Sequence, residues 1–286
     1  MTNGTQTADE NPIPQVPGSV YTRSQNGFTE TYDALVAAIE ANPNIKVVAT
    51  VDHSAAAAGV DLDINPNRVI FFGNPNAGTP LMQADQRIGL DLPQKLHVIE
   101  SAGETFVGYN SPGLFLARHS LDALPILEKI AGALANLTAA GAGQNAPSHT
   151  KDLPAFGDDG GLQSTPSDAD IDETHRRLLA AIEGSPANVA FELDHQANAA
   201  RVDLELRPTR LVVFGNPSVG TTLMQANYTA GIDLPMKMLL WENEEGRVIV
   251  TTNTTAYLQQ RHGLDGVDLS KVDGALGNFT RAATGG

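Results

Sequence analysis

The chain contains one motif twice. Gly73 to Ala84 reads GNPNAGTPLMQA, and Gly215 to Ala226 reads GNPSVGTTLMQA, 142 residues later. Around the motif, residues 68–100 align without a gap to residues 210–242, and about half of the aligned positions are identical. A chain of 286 residues also exceeds the usual size of one domain. We therefore predict two homologous repeats of one fold.

The repeat sets the expected domain boundaries. We predict a disordered N-terminal tail over residues 1–18, a first repeat domain over 19–140, a flexible linker over 141–168 and a second repeat domain over 169–286. The tail and the linker are rich in proline, glycine and polar residues and show little periodicity. Because each small copy must bury an apolar face, we expect the repeats to pack on each other as a pseudo-twofold intramolecular dimer.

Each repeat alternates helix-like and strand-like segments. In the first repeat, Phe28 to Ala41 has helical spacing, Ile45 to Val51 is rich in β-branched residues, and Arg68 to Phe72 is an apolar run typical of a central strand. Lys95 to Ser101 and Thr105 to Tyr109 flank a short turn, which predicts a hairpin. The predicted fold class is α+β, with a mainly antiparallel sheet of four or five strands in each repeat and helices packed on it.

Composition excludes several classes of function. The chain has 18 basic and 33 acidic residues, a net charge of −15 and only six lysines, which argues against a nucleic-acid partner. No run approaches the roughly 18 apolar residues of a membrane span. The absence of cysteine excludes disulfides, thiolate ligands and cysteine nucleophiles. The N-terminus lacks the basic and apolar regions of a signal peptide, so cytoplasm is the default location, although a chain trimmed of its signal would look the same.

The order of the motifs resembles a known family. Asp52-His53 at a strand end is followed by G-N-P-x-x-G-T-x-L-M-Q-A, then by G-[LI]-D-L-P-x-K, and finally by Arg118-His119. The second copy gives the same series. This pattern resembles the family called domain of unknown function 302, and the resemblance covers both repeats almost end to end. It implies a small α+β fold for each repeat and no established biochemical role.

Four histidines occupy matched positions in the two repeats. His53 and His195 follow strand ends, and His119 and His262 follow an arginine at the end of a predicted helix. The first pair could contact a ligand, or it could pack and hydrogen-bond structurally. The second pair could be held by the carbonyl end of the helix dipole. His97 matches a leucine in the second repeat, and we interpret it as incidental.

The loop from Gly73 to Gly78 leads from a strand into a helix predicted over Thr79 to Gln86. Free backbone N–H groups at such a junction can hold an anion or a carboxylate. A tight connection that needs glycine explains the loop equally well without a ligand. Lys95 and Lys237 are kept in a lysine-poor protein, and each could pair with an anionic ligand or with a nearby carboxylate such as Asp91 or Asp233.

These observations favour a small-molecule-binding protein with one pocket per repeat, near the histidine-bearing strand end and the GNP loop. The predicted ligand contacts are His53, Asn74, Thr79 and Lys95 in the first repeat, and His195, Asn216, Thr221 and Lys237 in the second.

Three other functions stay open at this stage. The repeated histidines could bind haem or a transition metal, with a methionine adding a thioether ligand, although no two histidines are closely spaced. An enzyme could use histidine as a general acid or base. The matched residues could also serve only the contact between the repeats. The candidate metal ligands are His53, His195, His119 and His262, with Met82 or Met224.

Overall fold

A computed structural model describes residues 13–122, 124–146, 148–157 and 159–286. The predicted disordered tail therefore lies largely outside the described residues. Of its remainder, Val16 is buried beside Tyr21 and Phe106, and Pro17 forms a bridge with Lys151.

In its described residues, the first repeat contains six strands and five helices. The strands are β1 Ser19–Arg23, β2 Lys46–Asp52, β3 Asn67–Gly73, β4 Gln94–Ser101, β5 Glu104–Asn110 and β6 Ser148–Thr150. The helices are α1 Phe28–Glu40, α2 His53–Ala58, α3 Pro75–Ala84, α4 Pro112–Arg118 and α5 Pro125–Ala142, with a 3-10 helix at Gln86–Leu90. The strands form one antiparallel sheet in the order β2-β3-β4-β5-β1-β6.

The second repeat has the same plan with five strands. Its strands are β7 Leu162–Pro166, β8 Asn188–Asp194, β9 Thr209–Gly215, β10 Met236–Glu242 and β11 Val248–Asn253. Its helices are α6 Ile171–Glu183, α7 His195–Ala200, α8 Pro217–Ala226, α9 Thr255–His262 and α10 Ser270–Thr284, with a 3-10 helix at Tyr228–Ile232. The sheet is antiparallel in the order β7-β11-β10-β9-β8. The predicted α+β fold is confirmed.

The segment 141–168, predicted as a linker, contains the end of α5 and two strands. β6 pairs with β1 at the edge of the first sheet, and β7 pairs with β11 in the second. β7 therefore takes the place in the second sheet that β1 takes in the first. β6 is the additional strand that gives the first sheet six members.

One face of each sheet is covered by a helix pair, α1 with α5 and α6 with α10. Apolar residues one turn apart, such as Leu35 and Ile39 on α1, are fully buried against the sheet. The opposite face of each sheet lies against the 3-10 helix of the other repeat. Phe71 and Phe191 meet there edge to face, with ring centroids 5.0 Å apart. The two repeats thus pack on each other through their sheets.

A loop of each repeat also packs against the core of the other repeat. Ile64 packs against the core of the second repeat, and Leu206 packs against the core of the first. The glutamines of the repeated LMQ motif hold these loops, because Gln225 Nε2 donates to the carbonyl of Asp63 over 3.0 Å and Gln83 Nε2 donates to that of Glu205 over 2.7 Å. The arrangement has the expected pseudo-twofold character. No helix in the described part of the chain is both long enough and apolar enough to cross a membrane.

Candidate functional site

The GNP segment forms the first turns of a helix. Asn74 is the N-cap of α3, its Oδ1 accepting from the backbone N–H of Asn76 over 2.9 Å, and Pro75 is the first helical residue. Proline suits this position because its φ is already helical and the missing N–H would have no partner there. Asn216 caps α8 in the same way. The helix predicted to begin at Thr79 therefore begins four residues earlier, and the side-chain oxygen of each asparagine is used for capping.

His53 is the first residue of α2 and bonds to the other repeat. Asp52 caps the helix by accepting from the backbone N–H of Ala55, while Nε2 of His53 donates to the carbonyl of Gly231 over 3.1 Å. His195 makes the equivalent bond to the carbonyl of Gly89, also over 3.1 Å. Burial lowers the pKa of each histidine to about 4, so both rings are neutral at physiological pH.

A cavity of about 630 Å³ lies beside His53, between the two repeats. It is bounded by His53 and neighbouring residues of the first repeat and by β8, α8 and α10 of the second. Thr221 lines the cavity and is 1% exposed, and no described residue forms a hydrogen bond with its Oγ1. The apolar part of the wall includes Phe214, Met224, Leu234, Leu276 and Phe279.

The structure brings the predicted contacts together across the repeats. His53 shares its cavity with Asn216 and Thr221, which belong to the GNP segment of the second repeat. The helix that carries His195 packs in the same way on α3, which follows Asn74 and contains the buried Thr79. Lys95 and Lys237 are not among the residues that line the cavity.

These lysines belong to a group of six formally charged side chains buried between the repeats, which we call the central cluster. Each is at most 3% exposed. Its members are Asp91, Asp233, Arg118, Arg261, Lys95 and Lys237.

Each aspartate of the central cluster is held by an arginine and a histidine. Arg118 Nη1 donates to both carboxylate oxygens of Asp91, over 2.8 and 2.9 Å, and His119 Nε2 donates to Oδ2 over 2.7 Å. In the second repeat, Arg261 and His262 bind Oδ2 of Asp233 over 2.7 and 2.9 Å. Burial by itself would raise the pKa of both carboxyl groups, but the arginine charges and histidine hydrogen bonds hold it well below its usual range.

The two arginines also cross the interface. Arg118 donates to the carbonyl of Gly160 over 2.9 Å and to the side-chain oxygen of Asn253. Its guanidinium carbon lies 4.0 Å from the ring centroid of Tyr257. Arg261 makes the mirrored set of bonds in the first repeat, with Pro17 O, Ser19 Oγ and Asn110 Oδ1 as acceptors.

Lys95 lies close to an aspartate of the other repeat. Its Nζ is 3.6 Å from Asp233 Oδ1, and neither atom has a hydrogen-bond partner within the part of the chain that the structure describes. Burial, together with the charge of Lys237, lowers the pKa of Lys95 well below its usual value, against the opposing charges of Asp233 and Asp91.

His97, which the sequence marks as incidental, is a buried bridge between the repeats. Its Nε2 donates to Asn67 Oδ1 and its Nδ1 accepts from the hydroxyl of Tyr21, both over 2.8 Å. Asn67 in turn donates to the carbonyl of Tyr228 in the second repeat. Comparing the copies could not reveal this chain of bonds, because Leu239 replaces the histidine in the second repeat.

The candidate metal ligands do not gather at one point. Within the described ranges, no three histidine, aspartate or glutamate side chains are grouped so as to hold a metal ion. His53 and His195 bond to backbone carbonyls, whereas His119 and His262 bond to aspartates. Met82 and Met224 lie in the apolar cores.

Comparison with known proteins gives matches to single repeats. The family model described as "Domain of unknown function DUF302" matches residues 20–137 and again 163–283. Two curated relatives are named Fluoride-specific ion channel FluC 1, from Brucella suis, and FluC 2, from Brucella melitensis; both are 39% identical over 130 residues, covering 44% of this chain and 51% and 48% of those proteins. The chain thus spans about half the length of the curated relatives it matches.

Among solved structures, the crystal structure of an uncharacterized conserved DUF302 protein from Bacillus stearothermophilus is 21% identical. It covers 43% of this chain and 98% of its own, with a TM-score of 0.40.

Proposed function

We propose that this chain, which belongs to the DUF302 family, binds a small and largely apolar molecule in the cavity beside His53. The observation that carries the proposal is the cavity of about 630 Å³ with an unpaired, buried Thr221 hydroxyl in its wall. Cavities of about 300 to 1,000 Å³, mostly apolar and with few polar groups, are typical of small-molecule sites.

The wall chemistry indicates the class of ligand. Of the residues that line the cavity, Lys271 alone carries a charge, and it is exposed. His53 is neutral because burial lowers its pKa to about 4. The ligand is therefore mainly hydrocarbon and uncharged where it is enclosed, with one oxygen or nitrogen that hydrogen-bonds to Thr221 Oγ1. Such a bond would relieve the cost of an unsatisfied hydroxyl, roughly 1 to 3 kcal/mol.

The contacts of this site come from both repeats. His53 lies on the first repeat, while Asn216 and Thr221 lie on the second, so the site depends on the packing of the two copies. The matching pocket expected beside His195, Asn74 and Thr79 stays a prediction, and Lys95 and Lys237 are left to the central cluster.

Binding of N-phenyl-1-naphthylamine, a neutral apolar dye that fluoresces in apolar sites, tests the proposal. The protein should bind about one dye saturably. Ala275→Phe fills the cavity from α10 and should weaken binding at least about tenfold. Ala282 is exposed on the same helix, α10, and does not line the cavity, so Ala282→Phe is the control and should bind as the wild type does. The proposal is contradicted if the wild-type protein does not bind the dye saturably. It is also contradicted if both variants bind the dye equally well and their circular dichroism is unchanged.

A further inference from the structure

We propose a second binding site, for a small monovalent inorganic anion such as chloride, at the two lysines of the central cluster. The cluster contains four cationic side chains and two carboxylates, all buried between the repeats. Counted by formal charge, the four cationic side chains exceed the two carboxylates by two positive charges. Unneutralised charge in a protein interior is costly and is relieved by a counter-ion or by loss of a proton.

The excess charge resides on the lysines. Arg118 occupies both oxygens of Asp91, and Arg261 occupies Oδ2 of Asp233, so each arginine has its own carboxylate. Among the described residues, Lys95 Nζ has no hydrogen-bond partner although its side chain is 2% exposed, and its ion pair over 3.6 Å is with Asp233, which Arg261 already holds. Lys237 is close enough for its charge to act on both Lys95 and Asp91. Two ammonium groups that share the carboxylates already held by the arginines form an anion site.

The same charges decide which ion fits. A metal cation would be repelled by the four positive groups, and His119 and His262 already use Nε2 to bind aspartates. A large anion is unsuitable because every member of the cluster is enclosed. A small monovalent anion is the one that needs least room beside the ammonium groups.

Anion binding should be coupled to the protonation of Lys95. The pKa of this group is lowered by burial and by Lys237, so without an anion the cluster can shed charge by releasing its proton. A bound anion favours the protonated form, and the affinity should therefore rise as pH falls. The other charged or titratable groups that act on Lys95, or are acted on by it, are Asp233, Asp91, Arg261, His262 and His97.

The site is independent of the proposed apolar cavity, since none of the six cluster residues lines that cavity. A protein that fails to bind the apolar dye can therefore still bind chloride, and the reverse holds too. The two proposals are tested with different probes.

Thermal unfolding in sodium chloride, compared with sodium gluconate at equal ionic strength, tests the site. Chloride should raise Tm saturably above the gluconate value, and it should broaden the chloride-35 resonance of the solution. Lys95→Met, which removes the charge and keeps the side-chain length, should abolish both effects. Lys129→Met alters an exposed lysine on α5 and should retain both.

Three results would overturn the anion site. The first is an equal Tm in the two salts, and the second is a chloride effect that persists in Lys95→Met. Because a core substitution can impair folding, the third uses the wild-type protein. In crystals soaked in sodium bromide, an anomalous peak should appear within about 4 Å of Lys95 Nζ, which is contact distance for an ion pair. A bromide-soaked crystal without that peak contradicts the proposal.

Discussion

The ring of His53 in the first repeat donates its Nε2–H to the carbonyl oxygen of Gly231 in the second, over 3.1 Å. His195 bonds to Gly89 in the reverse direction over the same distance. Since a carbonyl oxygen only accepts, the proton on Nε2 is fixed, and burial keeps both rings neutral. The interface between the repeats is thus sensitive to acid.

Acid should destabilise the protein through these two histidines. Their pKa is about 4 in the fold, below the ordinary value of 6.5. Between these values the unfolded chain binds protons that the folded chain does not, so this contribution is complete above about pH 6.5 and is lost as pH falls towards 4. Each histidine accounts for up to about 3 kcal/mol. Urea unfolding at pH 7 and pH 4.5 measures the loss.

The double variant His53→Gln with His195→Gln should lose less stability over this pH interval than the wild type, because glutamine can donate to the same carbonyls without titrating. His149→Gln alters an exposed histidine and should keep the wild-type pH dependence. An unchanged slope in the double variant would show that these histidines do not govern the acid response.

Replacing an arginine of the central cluster should strongly lower the free energy of unfolding. Arg261→Lys removes bonds to Asp233, Asn110 and Ser19, all buried, and leaves a carboxylate incompletely paired. The expected loss in the free energy of unfolding is about 3 to 5 kcal/mol. Arg176→Lys, at an exposed pair with Glu173, should leave the free energy of unfolding close to that of the wild type. Similar losses in the two variants, measured by urea unfolding, would count against the cluster as a stabilising element.

The two repeats approach so closely at Gly231 that a side chain there should destabilise the protein. A Cβ there would lie 2.6 Å from Asn67 Oδ1 and 2.8 Å from His97 Nε2, both in the first repeat. Gly231→Ala should therefore cost roughly 1 to 3 kcal/mol. Gly132→Ala, within α5 and with open space around the new methyl group, should instead stabilise by up to about 1 kcal/mol. If calorimetry gives Gly231→Ala the stability of the wild type, the two repeats have room for a methyl group at this position.

Two buried threonines should respond differently to the loss of their hydroxyl. Among the described residues Thr221 Oγ1 has no hydrogen-bond partner, so Thr221→Val removes an unsatisfied hydroxyl and should stabilise the ligand-free protein, by up to about 1 to 3 kcal/mol. Thr209 Oγ1 accepts from Gln86 over 2.6 Å and donates to the carbonyl of Arg207 over 2.8 Å. Thr209→Val should cost about 1 to 3 kcal/mol. Equal costs in denaturant titrations would imply that Thr221 has a protein partner after all.

Much of the fold could be predicted from the sequence because its signals are local and occur twice. The helix predicted from Phe28 and the strand predicted from Arg68 appear within one or two residues of their expected bounds. The predicted start of α3 at Thr79 is four residues too late, because glycine favours a loop in a sequence pattern, whereas Asn74 followed by Pro75 caps and begins the helix.

The site was harder to predict, for a physical reason. When both copies carry the same motif, sequence spacing cannot distinguish a contact within one repeat from the same contact between repeats. The sequence predicts His53 beside the GNP segment of its own repeat, whereas it shares a cavity with Thr221 of the other. For Lys95 the sequence offers a ligand or a nearby carboxylate such as Asp91 or Asp233, and the structure gives it an ion pair with Asp233 of the other repeat.

The exchanged loops, with Ile64 in one core and Leu206 in the other, have a consequence for how the protein behaves on dilution. Contacts that occur in reciprocal pairs are those that two separate copies of one repeat could make with each other. Joining the copies in one chain turns that encounter into an intramolecular event with a fixed effective concentration. The pairing of the halves, and any site built from both, therefore persists at protein concentrations at which two free copies would separate.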